Sequence, residues 1–176
     1  GSVRCARVFP LHGGGWRMNV EDCAFQTEST RFRYRAGAII VEDECVLMAK
    51  NDRDPYFYSV GGAVRLGECA EEAAQREAHE ETGIRYAVDR LLFIHENFFV
   101  EDGVRCHEIT LYFLMKPTGI KSFRAAPPTQ EAGEERMVWV PISDYGGFRA
   151  YPEFFGEKLR NLAPHVEHIV TGAPSG

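Results

Sequence analysis

Hydrophobic positions along this chain follow the two-residue rhythm of strands, interrupted by the wider rhythm of helices. Residues 31–41, RFRYRAGAIIV, alternate and then turn apolar, as a strand does on entering a core. Glu42, Asp43 and Glu44 make a turn, and residues 45–50, CVLMAK, return as the hairpin partner. A short strand over residues 56–60 runs into Gly61 and Gly62. Residues 69–82 are alanine-rich and bounded by glycines, which predicts a helix, with Gly83 where a helix ends in positive φ. Residues 91–100 and 104–116 are strands on either side of Glu101, Asp102 and Gly103, a hairpin turn signal. Residues 117–135 hold Pro117, Pro127, Pro128 and two glycines and read as a long loop. A strand follows over 137–142. Residues 151–162 are predicted as a second helix, with Phe154, Phe155, Leu159 and Leu162 at helical spacing until Pro164 interrupts.

Strands, helix, strands, helix imply an α+β fold. Residues 1–20 carry Gly13, Gly14 and Gly15 and no period, so a flexible lead-in is expected there. One domain is expected over 21–170 and a frayed tail over 171–176, with no internal repeat and no linker.

The helix over 69–82 carries the chemistry. At 100° per residue from Ala70, the residues Ala70, Ala74 and Ala78 fall at roughly 0°, 40° and 80° and form an apolar stripe. Glu71, Glu72, Gln75, His79 and Thr82 centre near roughly 150°, the water-facing side. Glu77 and Glu81 land at roughly 340° and 20°, beside the alanines, and Glu80 at roughly 280° on the near flank. A solvated face accounts for Glu71 and Glu72. It does not account for Glu77 and Glu81, since half-buried like charges repel and resist desolvation. A hard divalent cation resolves the conflict, because Mg²⁺ and Mn²⁺ prefer carboxylate and water oxygens.

Composition narrows the picture. A chain of 176 residues, 44% hydrophobic and 26% charged, suits one domain with a sizeable core. The net charge of −6 argues against an electrostatic nucleic-acid binder, so a polyanionic substrate would need its own local cations. No apolar run approaches the roughly 20 residues needed to span a membrane, and no secretory signal is visible. Cysteines at 5, 23, 45, 69 and 106 are odd in number and form no C-x-x-C pair, so reduced thiols and a cytoplasmic location are the expectation.

The stretch from Gly62 to Ile84 resembles the Nudix box, G-x5-E-x7-R-E-U-x-E-E-x-G-U with U aliphatic. Gly62, Glu68, Arg76, Glu77, Glu80, Glu81 and Gly83 occupy every fixed position, with Ala78 and Ile84 at the aliphatic ones. Fixed identities at fixed spacing make a specific signal, although the box covers only 23 of 176 residues. Two positions depart from the usual pattern. Val60 stands where many members carry proline, and Cys69 opens the helix where many carry Ser or Thr, leaving Glu72 to reach back to the helix start.

The resemblance implies a Nudix-type α/β/α sandwich around a mixed β-sheet. It also implies hydrolysis of a nucleoside diphosphate linked to another moiety, X, with Mg²⁺ or Mn²⁺ as cofactor. Glu77, Glu80 and Glu81 would carry the metal, with Glu68 and the Gly62 carbonyl as further ligands. Arg76 lies four residues before Glu80 and near Glu68, and would orient those carboxylates. Glu80, Glu81 and Arg76 are therefore expected in the catalytic set. The general base varies within the family, and the loop 117–135 offers Glu131 first, then Glu134 and Glu135.

In the paired strands, alternation points His95 away from Glu96 and His107 away from Glu108, so at most one of each pair faces a cleft. Phe98, Phe99, Tyr112 and Phe113 read as core. Arg33, Arg35, Lys50 and Arg53 could meet phosphates but default to solvent. No proline or tyrosine stands beyond the box where ADP-ribose or dinucleoside-polyphosphate members would place one, so X stays open. The expected partner is a small nucleotide substrate; no nucleic acid or membrane is expected, and a homodimer is an open option. The competing function is a catalytically silent nucleotide-sensing module, which in such relatives normally goes with an added DNA-binding domain or a broken box.

Overall fold

A computed structural model describes residues 22–51, 55–122 and 136–172. Their elements run β1 (Ala24–Gln26), β2 (Thr30–Ile39), β3 (Val41–Glu42), β4 (Cys45–Lys50), β5 (Phe57–Ser59), β6 (Gly61–Ala63), α1 (Ala70–Thr82), β7 (Val88–Glu101), β8 (Val104–Met115), β9 (Arg136–Pro141), β10 (Ala150–Tyr151), α2 (Phe155–Lys158) and β11 (Glu167–Thr171). The first sheet orders β1-β2-β8-β7-β11, with β6 also on β2; the second orders β10-β5-β4-β3, with β9 on β4. Both are mixed. In the first, β2 runs parallel to β8 and β11 parallel to β7, while the β7–β8 hairpin is antiparallel.

Turn chemistry sets these registers. Asp102 and Gly103 take φ of 51° and 79° between β7 and β8, the left-handed pair that matches the twist of a tight hairpin. Asp43 and Glu44, at φ 44° and 62°, close β3 onto β4 in the same way.

Alternation along the strands splits the core in two. Ala36, Ala38 and Ile40 turn to one face and pack with Ala70, Ala73, Ala74 and Ala78 of α1. Ile39 turns to the other, with Val46, Met48, Tyr112, and Phe155 and Leu159 from the α2 region. Small alanines let α1 lie close against the sheet, and the helices on opposite faces give the α/β/α layering around mixed sheets that the box implied.

Four sequence expectations change. The helix over 151–162 is instead a strand, a bend and one turn: Ala150 and Tyr151 pair with Phe57 and Tyr58, and α2 spans only Phe155–Lys158. Pro152 lacks the amide proton a helix interior needs, and the Phe154–Phe155 spacing serves core packing on Phe93 and Tyr112 instead. Residues Gly61–Ala63 form a strand of their own, paired with β2, rather than the end of the strand expected over 56–60. Thr171 closes β11 rather than beginning a tail, and 173–176 lie outside the described residues, as do 1–21. Thr82 is buried, not water-facing, because its hydroxyl bonds back to the Ala78 carbonyl at 2.6 Å and accepts from the Ile84 amide at 3.0 Å. The described cysteines, 23, 45, 69 and 106, are free thiols. Among the described residues no helix is long and apolar enough to cross a membrane.

Candidate active site

Strand β6 brings the box glycines against α1. Gly61 and Gly62 pair with Gly37 and Ala36 of β2, which fixes their backbone. Gly61 sits at φ 143°, and a Cβ there would strike the Ala36 carbonyl oxygen. A Cβ at Gly62 would strike the Glu77 carboxylate. Only glycine lets backbone and carboxylate share this space. The Gly61 amide donates to Glu81 Oε1 at 3.1 Å, which ties the second inward-facing glutamate to the same strand.

Arg76 gathers the remaining carboxylates. Its Nε and Nη2 donate to the two oxygens of Glu68 at 2.7 and 3.0 Å, a bidentate pair. Nη2 also donates to the Ala63 carbonyl at 3.0 Å. Nη1 donates to Glu77, and to Glu80 Oε2 at 3.3 Å. Glu72 accepts from the Cys69 amide at 3.2 Å, so the helix start is held despite the missing Ser or Thr. The structure thus brings together Gly62, Glu68, Arg76, Glu77, Glu80 and Glu81.

The charge balance of this cluster is negative. The Arg76 hydrogen bond holds the Glu68 carboxyl below its usual range. Burial pushes Glu77 up, and the charge of Glu80 adds to the push; Arg76 only partly opposes it. Arg76 therefore serves three carboxylates, helped by Arg65 3.8 Å from Glu80, with Glu81 beside them. Among the described residues no three His, Cys, Asp or Glu side chains stand preformed around a single point, since Arg76 occupies the middle of the group. The donors nonetheless fit Mg²⁺ or Mn²⁺: all are hard oxygens, the net charge is negative, and the backbone of Gly62 lies open to Glu77 with no side chain between.

Beside the cluster lies a cleft floored by β2, β8 and β7. It has two adjoining chambers of about 280 and about 600 Å³, with Arg35, Tyr58, Asn97, Glu108 and Tyr151 in the wall they share. Arg35, expected in solvent, is mostly buried here. Its Nη2 donates to the Gly61 carbonyl at 3.1 Å and its Nη1 to Glu108 at 3.4 Å. Arg33 Nη2 stands 2.7 Å from the other Glu108 oxygen. Two guanidiniums on one buried carboxylate leave local positive charge on a chain of net −6, which is the local cation a polyanion needs. Arg149 lines the larger chamber as well. His95 and Glu108 face the cleft while Glu96 and His107 face away, as alternation required. Tyr112 and Phe113 are core, but Phe99 lines the larger chamber. Lys50 sits over the Phe57 ring, 4.8 Å from its centre.

Sequence reasoning passed over Asn97, Tyr58, Tyr151 and Thr171. They come from four elements far apart in the chain, and only the alternation of β7 hinted that Asn97 shares a face with His95. Glu131, Glu134, Glu135 and Arg53 lie outside the described residues.

Fold and cluster together define an α+β domain that sets a carboxylate–arginine group at the mouth of a polar, aromatic cleft. The NUDIX domain model matches residues 31–162, and the chain belongs to the NUDIX family. It is 35% identical over 109 residues to the protein named MutT4 of Mycobacterium tuberculosis, covering 62% of this chain and 40% of that one. It is 34% identical over 84 residues to an ADP-ribose pyrophosphatase of Methanocaldococcus jannaschii, 46% of this chain and 48% of that one. The chain thus spans less than half the length of either of these curated relatives. In fold it resembles the crystal structure of a mutator MutT protein from Bacillus halodurans, with a TM-score of 0.59 at 16% identity over 77% of this chain and 86% of that one.

Proposed function

We propose that this chain hydrolyses the diphosphate bond of a nucleoside diphosphate linked to X. The observation that carries the reading is the adjacency of two groups: carboxylates gathered at β6 and α1, and a cleft with cationic and aromatic walls, joined through Arg35 and Gly61. The identity of one curated relative, an ADP-ribose pyrophosphatase, agrees with this reaction type.

The Gly62 carbonyl, Glu68, Glu77, Glu80 and Glu81 would hold Mg²⁺ or Mn²⁺. When bound, such a cation neutralises phosphate oxygens and lowers the pKa of a coordinated water. The chain's own groups do the rest. Arg76 keeps the carboxylates oriented. Arg33 and Arg35 offer donors to phosphate oxygens at the cleft floor. Tyr58 and Tyr151 offer ring faces to a base. Glu131 is the proposed proton acceptor, since carboxylates engaged on a cation are poor bases.

A metal-dependent screen over nucleotide sugars, dinucleotides and nucleoside triphosphates, with product identification, tests the reading. Glu81→Gln should fold normally and lose about a thousandfold in kcat, whereas Glu71→Gln, exposed on the polar face, should keep wild-type rates. Glu131→Gln should lose about a hundredfold with unchanged Mg²⁺ affinity. Turnover of no substrate by the wild type would leave the sensing module as the better reading.

A further inference from the structure

Thr171 lies beyond residue 162, where the family match ends, yet its side chain lines the smaller chamber. Strand β11 places it there by pairing with β7, Thr171 opposite Asn97 and Ile169 opposite His95. The Thr171 hydroxyl donates to Asn97 Oδ1 at 2.7 Å. A hydroxyl has one hydrogen, so His95 Nε2, 2.7 Å from the same oxygen, must be the donor to it. The imidazole is fixed: it is 4% exposed, stacks on Tyr112 and meets Phe154 edge-on at 4.9 Å. With burial lowering its pKa to about 4, it stays neutral and keeps this tautomer at physiological pH.

The relay has a chemical consequence. The Thr171 bond fixes which side of the Asn97 amide carries the oxygen, and the two N–H donors on the other side have no role in this relay, so donation is what the amide has to offer a ligand. Asn97 stands in the wall common to both chambers. The two chambers suit different parts of a nucleotide. Arg33, Arg35 and Arg149 line the larger one against Glu101 and Glu108, a net positive balance that suits phosphate. The smaller one is walled by the rings of Tyr58, Tyr112, Tyr151 and His95, and there Arg35 faces two acids, Glu108 and Glu153, a balance that disfavours phosphate. About 280 Å³ accommodates a heterocycle.

We propose that Asn97 is a specificity-determining residue that donates to an acceptor on the substrate's nucleobase, with Thr171 and His95 as positioning residues that hold its amide in that sense. The assignment rests on the nucleotide reading of the cleft, but not on turnover.

Titration calorimetry on the full chain in EDTA tests it, with AMP, GMP, CMP, UMP and ribose 5-phosphate as probes. The wild type should bind at least one nucleotide about tenfold tighter than ribose 5-phosphate. Asn97→Leu, uncharged and near-isosteric, should lose about that factor for the preferred nucleotide and leave ribose 5-phosphate unchanged. Thr171→Val should flatten the preference among the four bases, and Thr171→Ser, which keeps the hydroxyl, should restore it. Circular dichroism confirms that each variant is folded; should Asn97→Leu not fold, the Val and Ser pair at Thr171 decides alone. Three results overturn the proposal: a wild type that binds nucleotides no tighter than ribose 5-phosphate, a Thr171→Val that keeps the wild-type base preference, or an Asn97→Leu that weakens ribose 5-phosphate as much as nucleotides. Absence of hydrolysis in the substrate screen would instead sink the reaction and leave these binding outcomes standing.

Discussion

Arg76 shows how one side chain decides the state of its neighbours. Its planar guanidinium reaches Glu68 bidentately while still touching Glu77, Glu80 and the Ala63 carbonyl. A lysine is a point charge on a flexible stem and can satisfy only part of that fork. Arg76→Lys should therefore keep the net charge and the fold but release Glu68 and Glu77 from fixed orientation. Groups that orient metal ligands typically contribute about 10- to 100-fold in affinity or activity. The expected outcome is a loss of that size in kcat, together with a higher Mg²⁺ concentration for half-maximal rate. An unchanged Mg²⁺ requirement would mean that Arg76 is merely a structural ion pair. Glu68 reports the same change by titration: Arg76 now holds its carboxyl low, and in the lysine variant it should rise toward the ordinary range, seen by carbon NMR.

At the scale of elements, strand β6 separates two glycines by mechanism. Gly61 is constrained by backbone: a Cβ would meet the Ala36 carbonyl and Gly37 Cα, and φ is 143°. Gly62 is constrained by a side chain: the atoms nearest a Cβ there are the carboxylate end of Glu77. Gly61→Ala should lower stability by about 1–3 kcal/mol in chemical denaturation, because neither backbone nor conformation can give way. Gly62→Ala should leave the denaturation midpoint almost unmoved and reduce turnover at least as much as Arg76→Lys does, because Glu77 must swing aside. Equal destabilisation by the two would contradict this division. The contrast also shows what was legible beforehand. The box helix, the burial of Ala70, Ala74 and Ala78 and the αL cap at Gly83 follow from the local sequence and stand, while Thr82 joins the buried face against its angular position. The opposed faces of His95 and Glu96 follow from alternation. β6, β10 and β11 are strands of 3, 2 and 5 residues, made by pairing with β2, β5 and β7, and so short a segment carries no period of its own. The two-faced fit of Phe154 and Phe155 looked helical for the same reason: spacing records burial without saying which backbone achieves it. The burial of Arg35 is not legible in the sequence, because its partners, Gly61 and Glu108, are far away along the chain.

For the molecule as a whole, two titrations couple the site to stability. His95 is buried neutral beside Glu108, Tyr112 and Phe154, and its pKa falls from 6.5 to about 4. The unfolded chain therefore binds a proton between these values that the folded chain does not, so stability falls as pH drops from about 6.5 toward 4. His95→Gln should show a shallower decline of Tm across that window; an identical slope would mean that His95 is accessible to protons in the native state. The cation supplies the second coupling, and its sign is opposite to that of repulsion among the carboxylates. Arg76 pairs with Glu68, Glu77 and Glu80, Arg65 reaches Glu80, and Glu81 is held by the Gly61 amide, so these carboxylates outnumber the guanidiniums on them and the cation-free fold carries unbalanced negative charge in a partly buried place. A cation bound by the native state and not by the unfolded chain stabilises it by RT ln(1 + [L]/Kd), about 2.7 kcal/mol at one hundred times Kd. For a chain of this size each kcal/mol moves Tm by about 2–4 °C. Saturating Mg²⁺ or Mn²⁺ should thus raise the wild-type Tm by several degrees over EDTA. Glu81→Gln should respond less, since it loses one donor, and Glu71→Gln should respond as the wild type does. Because the shift follows mass action at a site, it should saturate with concentration, and an equal concentration of Na⁺ should not reproduce it. Equal shifts in wild type and Glu81→Gln would show that the ion only screens surface charge, and the cluster would then lose its role as a metal site.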